Sequence, residues 1–246
     1  MIILETVSLI FRGKNTEKNV AYGDDESMKY DLYPSATKKA PVVIFWHGGS
    51  WQNGDKNDYK FVGAYLQKSG YNAVVANYPK FPDQTFPGFI KDARTLLDVI
   101  RKRFPKNKVY LMGHSAGGHT ALITAMKQRE NPVDGVIALA AVNWFLEKNW
   151  PRWEKIFTDS YESKKQETYS YVENSPKTTK YLLMHGTNDV TVSPKGSSKL
   201  HEFLMINNIP SVNKQLEGVN HWMILGLFVP KLFGASKHQI KSFIES

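Results

Sequence analysis

The run GHSAG at residues 113–117 carries the clearest chemical signal in the sequence. It lies between an apolar run of strand length, residues 108–113, and a small-residue-rich stretch of helical length, residues 115–128. Serine between two glycines at a strand-to-helix turn is typical of a sharp elbow that exposes a nucleophilic hydroxyl. A helix N-terminus behind it favours developing negative charge. The pattern predicts that Ser115 is a nucleophile; a glycine-rich packing turn is the alternative.

The second signal is the run HGGSW at residues 47–51, directly after the apolar run PVVIFW at 41–46. A loop at this place beside a nucleophile elbow donates backbone N–H groups to the oxyanion of an acyl intermediate. Glycines let the backbone approach a substrate closely. We therefore assign the oxyanion hole to the N–H groups of Gly49, Ser50 and Ala116. For HGGSW alone, a surface loop that merely turns is the alternative.

Asp189 and His221 each come just after an apolar run of strand length. A serine hydroxyl is a poor nucleophile at neutral pH, so a base must take its proton as it attacks. An acid must hold that imidazole in the right tautomer and stabilise its protonated form. Alone, Asp189 is typical of a turn and His221 of a partly buried histidine. Their order after Ser115 is the one that accompanies such an elbow, and it predicts a Ser115–His221–Asp189 triad.

Runs of strand length alternate with stretches of helical length along the whole chain. Such alternation predicts an α/β fold whose mostly parallel eight-stranded sheet is covered by helices on both faces. In such a sheet, ligands bind beyond the carboxyl ends of the strands, which is where the signals above fall. The predicted strands are residues 6–11, 28–33, 41–46, 72–78, 108–113, 135–142, 181–186 and 211–218, and the predicted helices are residues 59–69, 89–104, 115–128, 194–206 and 235–244.

Residues 143–179 interrupt the alternation and are rich in aromatic side chains. A segment of this length in a single domain favours a short cap over the site, with packing on the sheet edge as the alternative. The aromatic residues of the segment are Trp144, Phe145, Trp150, Trp153, Phe157, Tyr161, Tyr169 and Tyr171. The residues expected to line the substrate pocket are His119, Trp51, Trp144, Phe145 and Trp222.

The composition excludes several other classes of protein. There is no cysteine, so disulfides, thiolate nucleophiles and cysteine-based zinc sites are absent. The sequence has no HExxH, GxGxxG or P-loop pattern, so we predict neither a metal nor a cofactor. The remaining histidines are interpreted as structural: His47, His114 and His185 are expected to orient loops through hydrogen bonds, and His201 and His238 to lie at the surface.

The formal net charge is +9 over 246 residues. A basic face can attract nucleic acid or anionic membrane, but the lysines are scattered, which favours a solvated surface and no nucleic-acid partner. No apolar run is long enough to span a bilayer, and the first residues lack a signal-peptide pattern. We expect one domain over residues 1–246, a cytoplasmic location and a small-molecule partner. The sequence leaves the oligomeric state open.

The runs HGGSW and GHSAGG, with DLYP at residues 31–34 and NYP at 77–79, resemble the α/β-hydrolase superfamily. The resemblance extends over nearly the whole chain. More narrowly, the runs are similar to the branch that holds hormone-sensitive-lipase-like esterases, small carbohydrate acyl esterases and kynurenine formamidases. It implies the α/β-hydrolase fold with a short cap, and the same triad and oxyanion hole. Ser50 stands where the lipase-like members usually have a third glycine, so HGG-x-W is closer to the formamidase-like and acyl-esterase-like members.

These inferences predict a serine carboxylic-ester hydrolase that acts on small acyl esters through an acyl-enzyme. An arylformamidase or another amidase that uses the same residues is the alternative enzyme. A catalytically silent ligand-binding protein is the alternative from another class, because this fold also hosts receptors. Such proteins typically lose a member of the triad, and all three members are present here.

Overall fold

A single eight-stranded sheet runs through the part of the chain that the computed structural model describes, residues 13–144, 150–157, 166–229 and 234–246. The strand order is β1-β2-β4-β3-β5-β6-β7-β8. Strand β2 is antiparallel to its neighbours β1 and β4, and the strands from β4 to β8 are parallel. The strands are β1 Glu17–Ala21, β2 Lys29–Tyr33, β3 Val42–Trp46, β4 Asn72–Ala76, β5 Val109–His114, β6 Gly135–Leu139, β7 Lys180–Gly186 and β8 Ser211–Leu216. The predicted mostly parallel eight-stranded sheet is confirmed.

Helices cover both faces of the sheet. They are α1 Lys60–Lys68, α2 Gly88–Arg103, α3 Ala116–Met126, α4 Trp150–Phe157, α5 Lys195–Ile206 and α6 Gly234–Glu245, and short 3₁₀ turns occur at Lys56–Tyr59, Thr168–Tyr171 and Met223–Phe228. Buried side chains of α2, α3 and α5 belong to one apolar cluster. Those of α1 and α6 belong to a second cluster. None of the helices in the described ranges has the length and hydropathy needed to cross a membrane.

Strand β3 shows why the central strands read as continuous apolar runs. Successive side chains of a strand point to opposite faces of the sheet. In β3, Val42, Ile44 and Trp46 belong to one apolar cluster, and Val43 and Phe45 belong to the other. Both faces are buried, so no polar alternation is left in the sequence.

The first strand of the described residues was not predicted. The strand predicted at residues 6–11 lies outside the described residues, whereas the strand before the turn at Gly23 is Glu17–Ala21. Its sequence EKNVA is mostly exposed, and Asn19 interrupts it with a φ of 55°. An edge strand that faces solvent carries no apolar pattern, which is why the sequence did not reveal it.

The predicted strand 135–142 is also too long. Strand β6 ends at Leu139, and Ala140 has a φ of 45°, which turns the chain out of the sheet. The residues that follow, up to Val142, remain buried. Their apolar character reflects burial in a turn rather than a strand.

The carboxyl ends of four parallel strands meet at one edge of the sheet. His47 follows β3, Ser115 follows β5, Asp189 follows β7 and His221 follows β8. Asp134 stands at the opposite edge, because it precedes β6 and its carboxylate accepts from Val109 N–H at 2.7 Å. The topology therefore brings together residues that are far apart in sequence.

Candidate active site

Ser115 lies in a strained turn between β5 and α3. Its φ and ψ are 54° and −119°, a conformation that side-chain-bearing residues rarely adopt. A Cβ at Gly113 would lie 2.2 Å from the carbonyl oxygen of Gly117, and one at Gly117 would lie 2.1 Å from that of Trp46. Both positions therefore require glycine. The turn directs the hydroxyl away from the strand and towards the loop after β8, where it meets His221.

The structure brings Ser115, His221 and Asp189 together. His221 Nε2 lies 3.0 Å from Ser115 Oγ, and His221 Nδ1 lies 2.7 Å from Asp189 Oδ2. Because a carboxylate only accepts, Nδ1 carries the proton and Nε2 presents its lone pair to the serine hydroxyl. This tautomer can take a proton from Ser115 and be stabilised by Asp189 once it is charged.

Four donors surround the Asp189 carboxylate. Oδ1 accepts the N–H groups of Thr191 and Val192 at 2.9 and 2.8 Å. Oδ2 accepts from His221 and also from His185 Nε2, at 3.0 Å. Burial alone would raise the pKa of Asp189, but the hydrogen bonds from His185, His221 and Val192 outweigh it and hold the pKa well below its usual range. The carboxylate is therefore charged at neutral pH.

His185 is the member of this arrangement that sequence reasoning missed. It was expected to orient a loop, and no role beside Asp189 was assigned to it. The signal that the sequence offers is the spacing HGTND, which puts His185 four residues before Asp189 at the end of β7. The tight turn of this run brings the two side chains into contact.

His114, the last residue of β5, supports the loop that carries His221. Its Nε2–H donates to the backbone carbonyl of His221 at 3.0 Å, and the two rings are 4.9 Å apart. Burial, with a smaller contribution from the charge of His221, lowers the pKa of His114 to about 3. The His114 ring is thus neutral, so it holds the loop without placing a positive charge next to His221.

The loop after β3 lies against Ser115. A Cβ at Gly48 would be 3.1 Å from Ser115 Cβ. Gly49, Ser50 and Trp51 all have positive φ, at 126°, 57° and 57°, and a Cβ at Gly49 would lie 2.0 Å from the carbonyl oxygen of Asn53. Ser50 therefore occupies a conformation that glycine adopts more readily.

The candidate oxyanion donors are the N–H groups of Gly49, Ser50 and Ala116. The N–H of Ser115 is not available, because it donates to Leu139 O at 2.9 Å. Ala116 is the first residue of α3, so its N–H has no acceptor within the helix and the helix dipole favours an anion there. This arrangement suits a negative oxygen close to Ser115 Oγ.

Trp51 and His119 were expected to line the substrate pocket, and both are completely buried. The Trp51 ring packs edge-on against His119 at 5.1 Å and against Phe157 of α4 at 4.9 Å. His119 Nε2–H donates to the Gln166 carbonyl at 2.7 Å, and burial lowers the pKa of His119 to about 4. These side chains fill the space between α3 and α4 rather than forming an exposed wall.

Two of the other expected pocket residues are exposed. Trp222, with 53% of its surface exposed, lies 5.5 Å from the rings of both His221 and His114. Trp144 has 37% of its surface exposed, and the ammonium group of Lys199 lies 4.7 Å from its ring. Phe145 lies outside the described residues.

The segment proposed as a cap is only partly described. Phe157 is completely buried, and Ile156 O accepts from Phe86 N–H at 2.8 Å, so α4 packs into the apolar cluster of α2 and α3. Residues 145–149 and 158–165 lie outside the described ranges. The cap over residues 143–179 therefore stays a prediction. Among the described residues, no group of three or more histidine, aspartate and glutamate side chains is arranged to hold a metal ion.

Sequence comparison finds a family model and curated relatives that are similar to part of this chain. Residues 30–143 match the family model described as BD-FAE. The isoprenylcysteine alpha-carbonyl methylesterase ICME of Arabidopsis thaliana is 27% identical over 139 residues, 54% of this chain and 33% of that protein. The kynurenine formamidase of Danio rerio is 33% identical over 109 residues, 43% of this chain and 37% of that protein. The chain thus spans about a third of the length of these curated relatives in each match.

Solved structures extend the similarity to the whole fold. Esterase B of Lactobacillus rhamnosis superposes with a TM-score of 0.81 at 20% identity, covering 98% of this chain and 91% of that one. At this level of identity, the superposition is evidence for the fold alone. Together with the motifs, it confirms the resemblance to the α/β-hydrolase fold. Residues 30–143 match the BD-FAE family model, and parts of the chain are similar to an esterase and to a kynurenine formamidase.

Proposed function

We propose that this protein is a serine carboxylic-ester hydrolase that acts on small acyl esters. Ser115 is the nucleophile, His221 the general base and Asp189 the acid that orients it. The observation that carries the proposal is the continuous line of hydrogen bonds from Ser115 Oγ to His221 Nε2 and from His221 Nδ1 to Asp189. Its tautomer is the one that a serine nucleophile needs.

The reaction follows from these positions. Ser115 Oγ attacks the acyl carbon while its proton passes to His221 Nε2. The N–H groups of Gly49, Ser50 and Ala116 stabilise the oxyanion, and His221 returns the proton to the departing alcohol. Water then attacks the acyl-enzyme with His221 again as the base, which releases the acid and restores Ser115.

An arylformamidase is the second candidate. Two observations favour it: the similarity to kynurenine formamidase at 33% identity over 109 residues, and the serine at position 50 of HGGSW. The same residues would attack a formyl carbon, and His221 would protonate a departing amine. An amine is a poorer leaving group than an alcohol, so cleavage of a formamide requires more exact placement of the protonated His221 than cleavage of an ester does. For this reason we place the ester first.

The test is to trap the acyl-enzyme. The protein is mixed with an aryl acetate, quenched within the first turnover and digested, and mass spectrometry locates the acetyl group. We expect it on the peptide that contains Ser115, with no adduct and no turnover in Ser115→Ala. Ser27→Ala, in the turn before β2, is the matched control and should behave as the unchanged protein. Hydrolysis that persists in Ser115→Ala would refute the proposal, and no turnover of any ester or formamide would favour the ligand-binding alternative.

A further inference from the structure

A second imidazole contacts the Asp189 carboxylate. His185 Nε2 lies 3.0 Å from Asp189 Oδ2, the same oxygen that accepts from His221. The His185 side chain is completely buried in the end of β7. The reaction above does not use His185, so this contact needs its own explanation.

The neighbours of His185 fix where its proton lies. Nε2 faces two oxygens that only accept, Asp189 Oδ2 and the carbonyl oxygen of Val192, the latter at 3.1 Å. Nε2 is therefore protonated and donates. Nδ1 faces Ser197 Oγ at 2.8 Å, and in the neutral ring it accepts the serine hydroxyl proton. His185 therefore donates from Nε2 to Asp189, while its Nδ1 accepts from Ser197 in helix α5.

The chain of donors continues away from the site. Ser197 Oγ, whose proton goes to His185, accepts from Asn143 Nδ2 at 3.2 Å. Asn143 in turn accepts from the hydroxyl of Thr168, which lies 3.3 Å from both the side-chain oxygen and the backbone carbonyl oxygen of Asn143. Asn143, Thr168 and Ser197 are all buried. Every hydrogen bond thus points in one direction, from Thr168 through Asn143, Ser197 and His185 to the carboxylate, so each polarises the next.

We propose that His185 is a positioning residue that fixes the Asp189 carboxylate for His221, and that Ser197 and Asn143 hold it in the donating tautomer. The inference rests on the proposed function, because the role of Asp189 as the orienting acid belongs to it. Without the His185 donor, Oδ2 is held by His221 alone, and rotation of the carboxylate is opposed only by the Thr191 and Val192 N–H groups on Oδ1. The low pKa of Asp189, to which the hydrogen bond from His185 contributes, agrees with this role.

The chemistry of amide side chains provides a matched pair of variants. Glutamine places its amide nitrogen close to the position of Nε2, so His185→Gln keeps a donor for Asp189. Asparagine reaches only the position of Nδ1, so His185→Asn keeps a partner for Ser197 and loses the donor. We expect His185→Asn to lower kcat on an aryl acetate about 10- to 100-fold with KM unchanged, and His185→Gln to stay within about 3-fold of the unchanged protein.

The pH profile separates positioning from simple loss of structure. When the Asp189 carboxylate loses the donor at position 185, its negative charge is less neutralised and stabilises the protonated form of His221 more strongly. The midpoint of the acidic limb of kcat/KM should therefore move to higher pH in His185→Asn and stay in place in His185→Gln. Equal loss of activity in both variants with an unmoved midpoint would overturn the proposal. Should His185→Asn not fold, Ser197→Ala provides the test, because it removes the donor to His185 Nδ1. We expect the same effects as in His185→Asn, at about a third of the size on a logarithmic scale. An unchanged pH profile in Ser197→Ala would also overturn the proposal.

A double-mutant cycle with Asp189 makes the test specific. If His185 acts only through Asp189, then His185→Asn adds less than about 2-fold to the loss already caused by Asp189→Asn. Losses that multiply would show that His185 acts elsewhere and would overturn the proposal. The outcome is distinct from failure of the proposed function, in which Ser115→Ala would itself remain active.

Discussion

The backbone carbonyl of His221 accepts a hydrogen bond from His114 Nε2 at 3.0 Å, and His114 is the residue immediately before Ser115. The proposed general base is thereby tied to the strand that precedes the proposed nucleophile, although the two histidines are 107 residues apart. The side chain of His221 is then free to contact Ser115 and Asp189 at once. The distance between base and nucleophile is set by β5 and the loop after β8 together rather than by either alone.

We expect Asp189→Asn to reduce kcat by about 10⁴, because an amide in place of the carboxylate favours the wrong imidazole tautomer. Asp134→Asn is the control, since Asp134 lies at the opposite edge of the sheet and binds Val109 N–H. Its activity should be unchanged. Steady-state kinetics on an aryl acetate measures both. An Asp189→Asn variant with nearly unchanged activity would remove Asp189 from the triad.

A methyl group at Gly117 should be far more harmful than one at Gly196, although both glycines lie within the first two residues of a helix. At Gly117 the added Cβ would lie 2.1 Å from Trp46 O, whereas at Gly196 the nearest atom is 3.5 Å away, in ordinary contact. Gly117→Ala is expected to lose about 3 kcal/mol or more of the free energy of unfolding, or to fail to fold. Gly196→Ala should change it by less than about 1 kcal/mol. Urea unfolding compares the two, and equal stabilities would contradict the elbow geometry.

Buried neutral histidines should make the protein sensitive to mild acid. Burial lowers the pKa of His47 and His119 to about 4 and of His114 to about 3, from an ordinary 6.5. Between these values the unfolded chain binds protons that the folded chain does not. The free energy of unfolding therefore has its full value above pH ~6.5 and falls as the pH drops towards 4.

At pH 5 the loss is about 2 kcal/mol for each of the three histidines, and urea midpoints between pH 7 and 5 measure it. His119→Gln keeps a donor for the Gln166 carbonyl and removes one titrating group. It should lower the pH dependence by about a third. A midpoint that does not change between pH 7 and 5 would mean that these rings are charged or exposed in the folded state.

Short acyl chains should be preferred to long ones, and esters to formamides. Trp51, His119 and Phe157 fill the space between α3 and α4 with side chains that are completely buried. Each added methylene contributes up to about 0.8 kcal/mol only where apolar space exists to bury it. The kcat/KM on phenyl esters should therefore stop rising at about four carbons. Acetyl, butyryl and decanoyl esters of one phenol, with N-formylkynurenine beside them, provide the measurement. Preference for decanoyl contradicts the small site, and a formamide rate far above that of the acetyl ester favours the amidase.

How far the sequence predicts this site depends on how local each contact is. Ser115 and its two glycines form a turn whose sterics are complete within five residues, so GHSAG alone indicates the elbow. Asp189 and His221 could be placed because parallel strands present their carboxyl ends at one edge. The contact between His185 and Asp189 could not, since it depends on how the turn after β7 folds back on itself.

Burial hides other features from the sequence. Trp51 stands in the oxyanion loop, where an aromatic side chain suggests a pocket wall, yet Phe157 of α4 covers it. Only the position of α4, far along the chain, decides between the two. Strand β1 was missed for the opposite reason: its residues face solvent at the sheet edge, and nothing in EKNVA distinguishes a strand from a loop.

The order of the strands along the chain has a consequence for biosynthesis. Ser115 and the loop after β3 are made early, whereas His221 follows the last strand of the sheet. A serine hydroxyl without its base is a weak nucleophile. A nascent chain would thus carry its nucleophile for about a hundred residues of synthesis in an inert form, and hydrolysis would begin only when β8 adds to the edge of the sheet. Catalytic activity would then serve as a reporter of completed folding, which ribosome-bound chains stalled before and after residue 221 would reveal.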